Sequence, residues 1–120
     1  QRQQLRDSAR QLQFFLLSVR AQANWQNRDF VLWARTMQPW CLGVGDAPVN
    51  GCDPARRLHF IAPHTGVTLQ PLRGEPGFYG RRNVARAGSI ELVNPAGRIR
   101  LIISSRARIR LCSSEEAGCE

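Results

Sequence analysis

Residues 89–112 read SIELVNPAGRIRLIISSRARIRLC, three short runs in which apolar and polar residues alternate, separated by turn-forming residues. Alternation of this kind is the mark of strands with one face buried. A turn at Asn94-Pro95-Ala96-Gly97 pairs Leu92 with Ile99, Glu91 with Arg100 and Ile90 with Leu101. A three-residue loop at Ser104-Ser105-Arg106 then pairs Leu101 with Ile109, Arg100 with Arg110 and Ile99 with Leu111. In that register one face carries Ile90, Leu92, Ile99, Leu101, Ile103, Ile109 and Leu111. The other displays Glu91, Arg98, Arg100, Arg108 and Arg110. A slip of one residue would turn arginines into the core, so the hydrophobic pattern itself specifies the meander.

The three runs are Ser89–Val93, Arg98–Ile103 and Ala107–Cys112, and working back toward the start, further strand-like segments lie at Val67–Gln70, Leu58–Ile61, Trp40–Val44 and Phe30–Arg35, punctuated by Gly, Pro and Asn. Before them the period changes. Leu5, Ala9, Leu12, Leu16, Val19 and Ala23 are spaced 4, 3, 4, 3 and 4, with Gln and Arg filling most positions between them. This is an amphipathic helix over residues 1–23, about 35 Å long at 1.5 Å per residue. Its seam is also that of a coiled coil, but the apolar cluster Phe14-Phe15-Leu16-Leu17 favours packing on a sheet. One helix followed by strands alone gives an α+β order, a long N-terminal α-helix packed on an antiparallel β-sheet. The 120 residues fit one domain: the helix at 1–23, a β domain at 29–112 and a tail at 113–120.

Cysteines at 41, 52, 112 and 119 permit three pairings. The simplest is local closure, Cys41 with Cys52 around Pro48-Val49-Asn50-Gly51 and Cys112 with Cys119 around the polar tail. No CxxC occurs and neither His59 nor His64 shares a zinc-ligand spacing with a Cys pair, so disulfides are the better reading and imply an oxidising compartment such as the periplasm. An exported protein needs an export signal. Gln1 opens directly on the helical pattern with no Ser, Thr, Asp or Asn as N-cap, which predicts that the helix continues upstream.

All 17 basic residues are Arg, and the net charge is +8. Such an excess steers a protein toward anionic partners without choosing among them. Catalytic patterns are lacking. Gly43-x-Gly45 has neither the third glycine nor the helix start of a dinucleotide loop, and there is no Walker A sequence. His59 falls in a strand-like stretch, as structural histidines do, and Ser104-Ser105 reads as a turn. The sequence therefore assigns no catalytic residue, metal or cofactor. Trp25, Trp33 and Trp40 read as core. Asn27-Arg28-Asp29 reads as the turn leaving the helix, with Asp29 pairing Arg28 or capping a following turn.

Five segments then stand in order: Ala23-Asn24-Trp25-x-Asn27-Arg28-Asp29, Trp40-Cys41-Leu42, Phe78-Tyr79-Gly80-x-Arg82-Asn83, Ala87-Gly88-x-Ile90, and Arg108-x-Arg110-Leu111-Cys112 with a closing Gly118-Cys119. Together they resemble the minor pilins of the FimT and GspH group, in particular those of the prepilin-peptidase-dependent protein A type. The resemblance implies a type IV pilin-like fold and a transmembrane helix upstream of Gln1 that anchors a periplasmic domain in the inner membrane. It also implies processing by the prepilin peptidase, and assembly with other minor pilins and the major pilin to initiate a type IV pilus, at its tip. A minor pseudopilin of a type II secretion system fits the same resemblance.

Two surfaces emerge as candidates. Leu5, Ala9, Leu12 and Leu16 form the assembly helix, with Leu5 expected to be exposed and Leu16 and Val19 buried. Arg98, Arg100, Arg106, Arg108 and Arg110 form an arginine face. Relatives that take up DNA carry a Gly-Arg-x-Arg pattern near the C-terminus. This chain has it at Gly97-Arg98-Ile99-Arg100, whereas the final strand reads Ala107-Arg108-Ile109-Arg110. Two readings stand side by side: a solvated edge guarded by charge, which the residues favour, and a sequence-insensitive phosphate contact to double-stranded DNA.

Overall fold

In the computed structural model residues 1–113 are described, and Cys119 with the rest of the expected tail closure lies outside them. Helix α1 (Arg2–Gln26) consists mainly of Gln, Arg, Leu and Ala, good helix formers without an interior Gly or Pro. It runs one turn past the expected end at Ala23. The apolar stripe stops there, but the backbone stays helical until Asn27 adopts the left-handed conformation, φ 52°, and the Arg28 N–H donates to the Ala23 carbonyl at 3.1 Å.

The strands are β1 (Phe30–Val31), β2 (Trp33–Arg35), β3 (Cys41–Gly43), β4 (His59–Ile61), β5 (Thr68–Leu69), β6 (Arg73–Phe78), β7 (Ala85–Asn94), β8 (Gly97–Ile103) and β9 (Ile109–Ser113). The main sheet is antiparallel in the order β1-β6-β7-β8-β9, and β5 extends the β6 side by pairing with β7. A second sheet has the order β2-β3-β4. Helix α1 lies on the main sheet. Its Leu5, Ala9, Leu12, Leu16, Val19 and Ala23 are buried with Ile90, Leu92, Leu101 and Ile103 of β7 and β8. Burial of each large aliphatic side chain is worth about 1.5–3 kcal/mol, so this seam is the main adhesive of the domain.

The β7–β8 register is the expected one, with Leu92 opposite Ile99, Glu91 opposite Arg100 and Ile90 opposite Leu101. The β8–β9 register is displaced by two residues from expectation: Leu101 faces Leu111 and Ile103 faces Ile109. The loop spans residues 104–108 because Ser104 organises it. Ser104 Oγ accepts the Arg106 and Arg108 N–H groups, and the Ser104 carbonyl accepts the Ala107 N–H. A displacement of two leaves every side chain on its own face, so the apolar face survives. It also sets Arg100 opposite Cys112 instead of Arg110, which removes the like-charge pair.

Two other expectations are corrected. The run Phe30–Arg35 is not one strand: it breaks at the buried Leu32, whose N–H donates to the Pro76 carbonyl, and β1 joins the main sheet while β2 begins the second. Strand β6, Arg-Gly-Glu-Pro-Gly-Phe, has turn composition and was not expected at all. Its glycines permit close approach between strands. A Cβ on Gly77 would strike the Phe30 carbonyl oxygen, and the β6–β7 register shifts between Gly74 and Gly77.

Cys41 and Cys52 form a disulfide, as local closure requires. Cys112 is buried and is not free. The Cys41–Cys52 bridge spans 11 positions, and the loop-entropy estimate for that length is about 3 kcal/mol. Replacing both by Ala is expected to lower unfolding free energy by about that amount in a denaturant titration.

Candidate functional site

Two faces of α1 carry different chemistry. Nine residues at about 100° each make two and a half turns, a net rotation of about 180°, so Phe14 is opposite Leu5 and Trp25 is opposite Leu16. Phe14 is 72% exposed and Trp25 82% exposed. Between them Ser18 and Ala21 are also exposed, giving Phe14-Ser18-Ala21-Trp25 at spacings of 4, 3 and 4. The result is an outward seam about 16 Å long, two aromatics flanking two small residues. The small side chains leave room for a backbone to approach, and the aromatics offer apolar area for burial.

The expected exposure of Leu5 is corrected, while Leu16 and Val19 are buried as expected. Leu5 is only 3% exposed, and Ala9, Leu12 and Leu16 are likewise core. Leu5 is covered because the β7–β8 turn folds over the helix start, where Asn94 Nδ2 donates to the Gln1 carbonyl at 2.6 Å. Trp25 is not core either, since it faces away from the sheet. Of the other tryptophans, Trp40 is buried and donates Nε1–H to the Val67 carbonyl at 2.7 Å, and Trp33 meets His59 edge-on at 4.7 Å. The outward seam could have been found in the sequence, because its 4-3-4 spacing repeats that of the core stripe half a turn away.

Two of the family-like segments meet at the helix end. Asp29 does not pair with Arg28: Asp29 Oδ1 accepts the Gly80 N–H at 2.9 Å, and Arg28 lies over the Phe30 ring at 5.4 Å. A Cβ at Gly80 would sit 2.5 Å from the Asn27 carbonyl carbon, so only glycine allows the 79–84 loop to rest on the turn. Asn27, Asp29, Tyr79 and Arg81 border an open depression of about 600 Å³ beside this junction.

The arginine face is divided. Arg98 Nη1 and Arg100 Nη2 approach the two oxygens of Glu91 at 3.6 and 3.0 Å, and Arg100 is only 8% exposed. Arg106 and Arg108 are exposed in the 104–108 loop at the other end of β8, and Arg110 is exposed on β9 opposite Ile102. The glycine missing from the last Arg-x-Arg corresponds to a backbone requirement. Ala107 has φ 67°, a left-handed conformation, and Arg20 Nη1 donates to its carbonyl at 2.9 Å. Ala107→Gly relieves the Cβ penalty there but gives up a buried methyl and frees the unfolded chain, so the unfolding free energy is expected to change by less than about 1 kcal/mol in chemical denaturation.

His64 Nε2 lies 2.7 Å from Asp7 Oδ2 and ties α1 to the 62–67 loop. Gln3, Gln4, Arg6 and Arg10 line the open depression beside the pair. The hydrogen bond to His64, assisted by one from Gln11, lowers the Asp7 pKa below its ordinary 3.8. A depressed carboxylate pKa adds stability above the ordinary value and loses it as pH falls through the lowered one. Asp7→Asn is therefore expected to flatten the acid limb of the Tm–pH profile below pH 4, with no change in the shape of the profile's alkaline limb.

Comparison with known proteins finds no matching protein family, and no curated protein matches. Two crystal structures of the type IV minor pilin FimU from Pseudomonas aeruginosa are similar in fold. One superposes with a TM-score of 0.65 at 16% identity, covering 96% of both chains. The other gives 0.62 at 16% identity, covering 93% of this chain and 98% of that one. The chain has the type IV pilin fold. Among the described residues no helix is long and apolar enough to cross a membrane.

Proposed function

We propose that this chain is a minor pilin, a non-enzymatic subunit that helps to initiate a type IV pilus. In this reading its domain faces the periplasm, and an apolar helix upstream of Gln1, freed by the prepilin peptidase, anchors it in the inner membrane until assembly. Its partners are other minor pilins and the major pilin. The fold supports the reading, as does the likeness to two structures of a type IV minor pilin.

The observation that carries it is the outward seam of α1. Phe14 and Trp25 are large apolar side chains held in water by a helix whose opposite face is fully used. Isolated exposed aromatics need no explanation, but two on one line with Ser18 and Ala21 between them make a helix-docking surface. A filament subunit needs such a surface.

The test is piliation in cells whose own copy is replaced by a Phe14→Ser, Trp25→Ser variant. Each aromatic is expected to contribute about 2 kcal/mol or more to docking. Both are exposed in the free domain, so its folding stability should change by only about 0.5 kcal/mol. Pilus number is expected to collapse while the domain accumulates folded. Normal piliation by this variant would overturn the reading.

A further inference from the structure

We propose that the end of the molecule where α1 begins binds phosphate groups, supplied by the anionic phospholipid headgroups of the membrane. The lipid source rests on the anchoring reading above, since an apolar helix upstream of Gln1 would enter the bilayer at this end. The phosphate chemistry rests on the cluster of arginines itself.

Arg2, Arg6 and Arg10 recur every four residues, are all exposed, and so form one line along the first turns of α1. The β7–β8 turn is held against the same end by the Asn94 bond to the Gln1 carbonyl. It brings in a fourth arginine. Arg2, Arg6 and Arg98 border one cleft of about 60 Å³ with Leu5 and Gly97. The cleft is small and open to solvent, so a compact anion such as a phosphate can reach the arginines at its border.

Among the described residues little opposes this charge: Glu91 is the carboxylate that reaches the cluster, 3.6 Å from Arg98 Nη1, and its other oxygen is taken by Arg100. Asp7 lies beside Arg6 and Arg10 but is engaged by His64. Among the described residues Arg2, Arg6 and Arg10 make no ion pair. Guanidinium groups bordering one small cleft can offer planar, multiple N–H donors to the oxygens of a phosphate, in a way a row of lysines would not. At 1.5 Å per residue Arg2 and Arg6 stand within about 8 Å of the helix start, one Debye length at physiological salt. A headgroup layer at that start is therefore within their reach.

The experiment is flotation of the 120-residue chain with vesicles of phosphatidylglycerol and phosphatidylcholine, or of phosphatidylcholine alone. An Arg2→Gln, Arg6→Gln, Arg98→Gln variant is compared with an Arg81→Gln, Arg82→Gln, Arg108→Gln variant that removes equal charge elsewhere. Wild type is expected to bind only the anionic vesicles. The cleft variant should lose partitioning by roughly a hundredfold, about fivefold for each arginine, and the control variant should lose far less. Equal loss in both variants, no flotation of wild type, or binding that ignores phosphatidylglycerol would overturn the proposal. Inorganic phosphate is titrated separately while the arginine Nε–H resonances are followed. A response at Arg2, Arg6 and Arg98 without vesicle binding would assign the cleft to free phosphate and overturn the lipid source. Flotation uses the chain without any anchor, so its failure leaves the pilus reading untouched, and loss of the pilus reading leaves the flotation result standing.

Discussion

Everything in this domain is referred to the apolar stripe of α1 and the sheet face it covers. Leu5, Leu12, Leu16 and Val19 are sealed against Ile90, Leu92, Leu101 and Ile103, and that contact fixes which way the helix is rotated. Rotation is the constraint that matters. Once one stripe is committed to the sheet, the residues half a turn away face away from it and are left exposed among the described residues. Phe14 and Trp25 are exposed for that geometric reason, so the core that stabilises the fold also generates the surface proposed for assembly.

The remaining elements hold that rotation at both ends of the helix. At its start, Asn94 binds the Gln1 carbonyl and the β7–β8 turn closes over Leu5. Toward its C-terminal end, Arg20 grips the Ala107 carbonyl, and the Asn27 turn is locked to Gly80 and Asp29. His64 adds a strut to Asp7 on the flank. Each is a single polar contact, worth about 1 kcal/mol on its own. Their value lies in position, since each resists rolling of a helix that hydrophobic contact alone would leave free to adjust.

How much of this was legible in the sequence depended on how local the information was. The helix, the β7–β8 register and the Cys41–Cys52 closure arise from periodicity, a turn signal and a short loop, all within a few residues. The β8–β9 register was displaced by two because the wider loop depends on Ser104 Oγ and on Arg20, which is 87 residues from Ala107. Strand β6 was invisible because its Gly and Pro serve close approach to β1 and β7, not a turn. The candidate site was misread for a related reason. A 4-3-4 stripe in a helix reveals that a face is apolar, but not whether that face meets its own sheet or a neighbour. Leu5 was therefore expected to be exposed and Trp25 to be core, whereas the tertiary fold buries Leu5 and exposes Trp25.

The claim that distinguishes this account is that α1 meets a neighbouring subunit along Phe14, Ser18, Ala21 and Trp25. It is measured most directly by placing a photo-crosslinking amino acid at position 21 in cells assembling pili, with position 57 as the exposed control. The account predicts a crosslink from position 21 to another pilin and none from position 57. Crosslinks from position 57 with position 21 silent would contradict it.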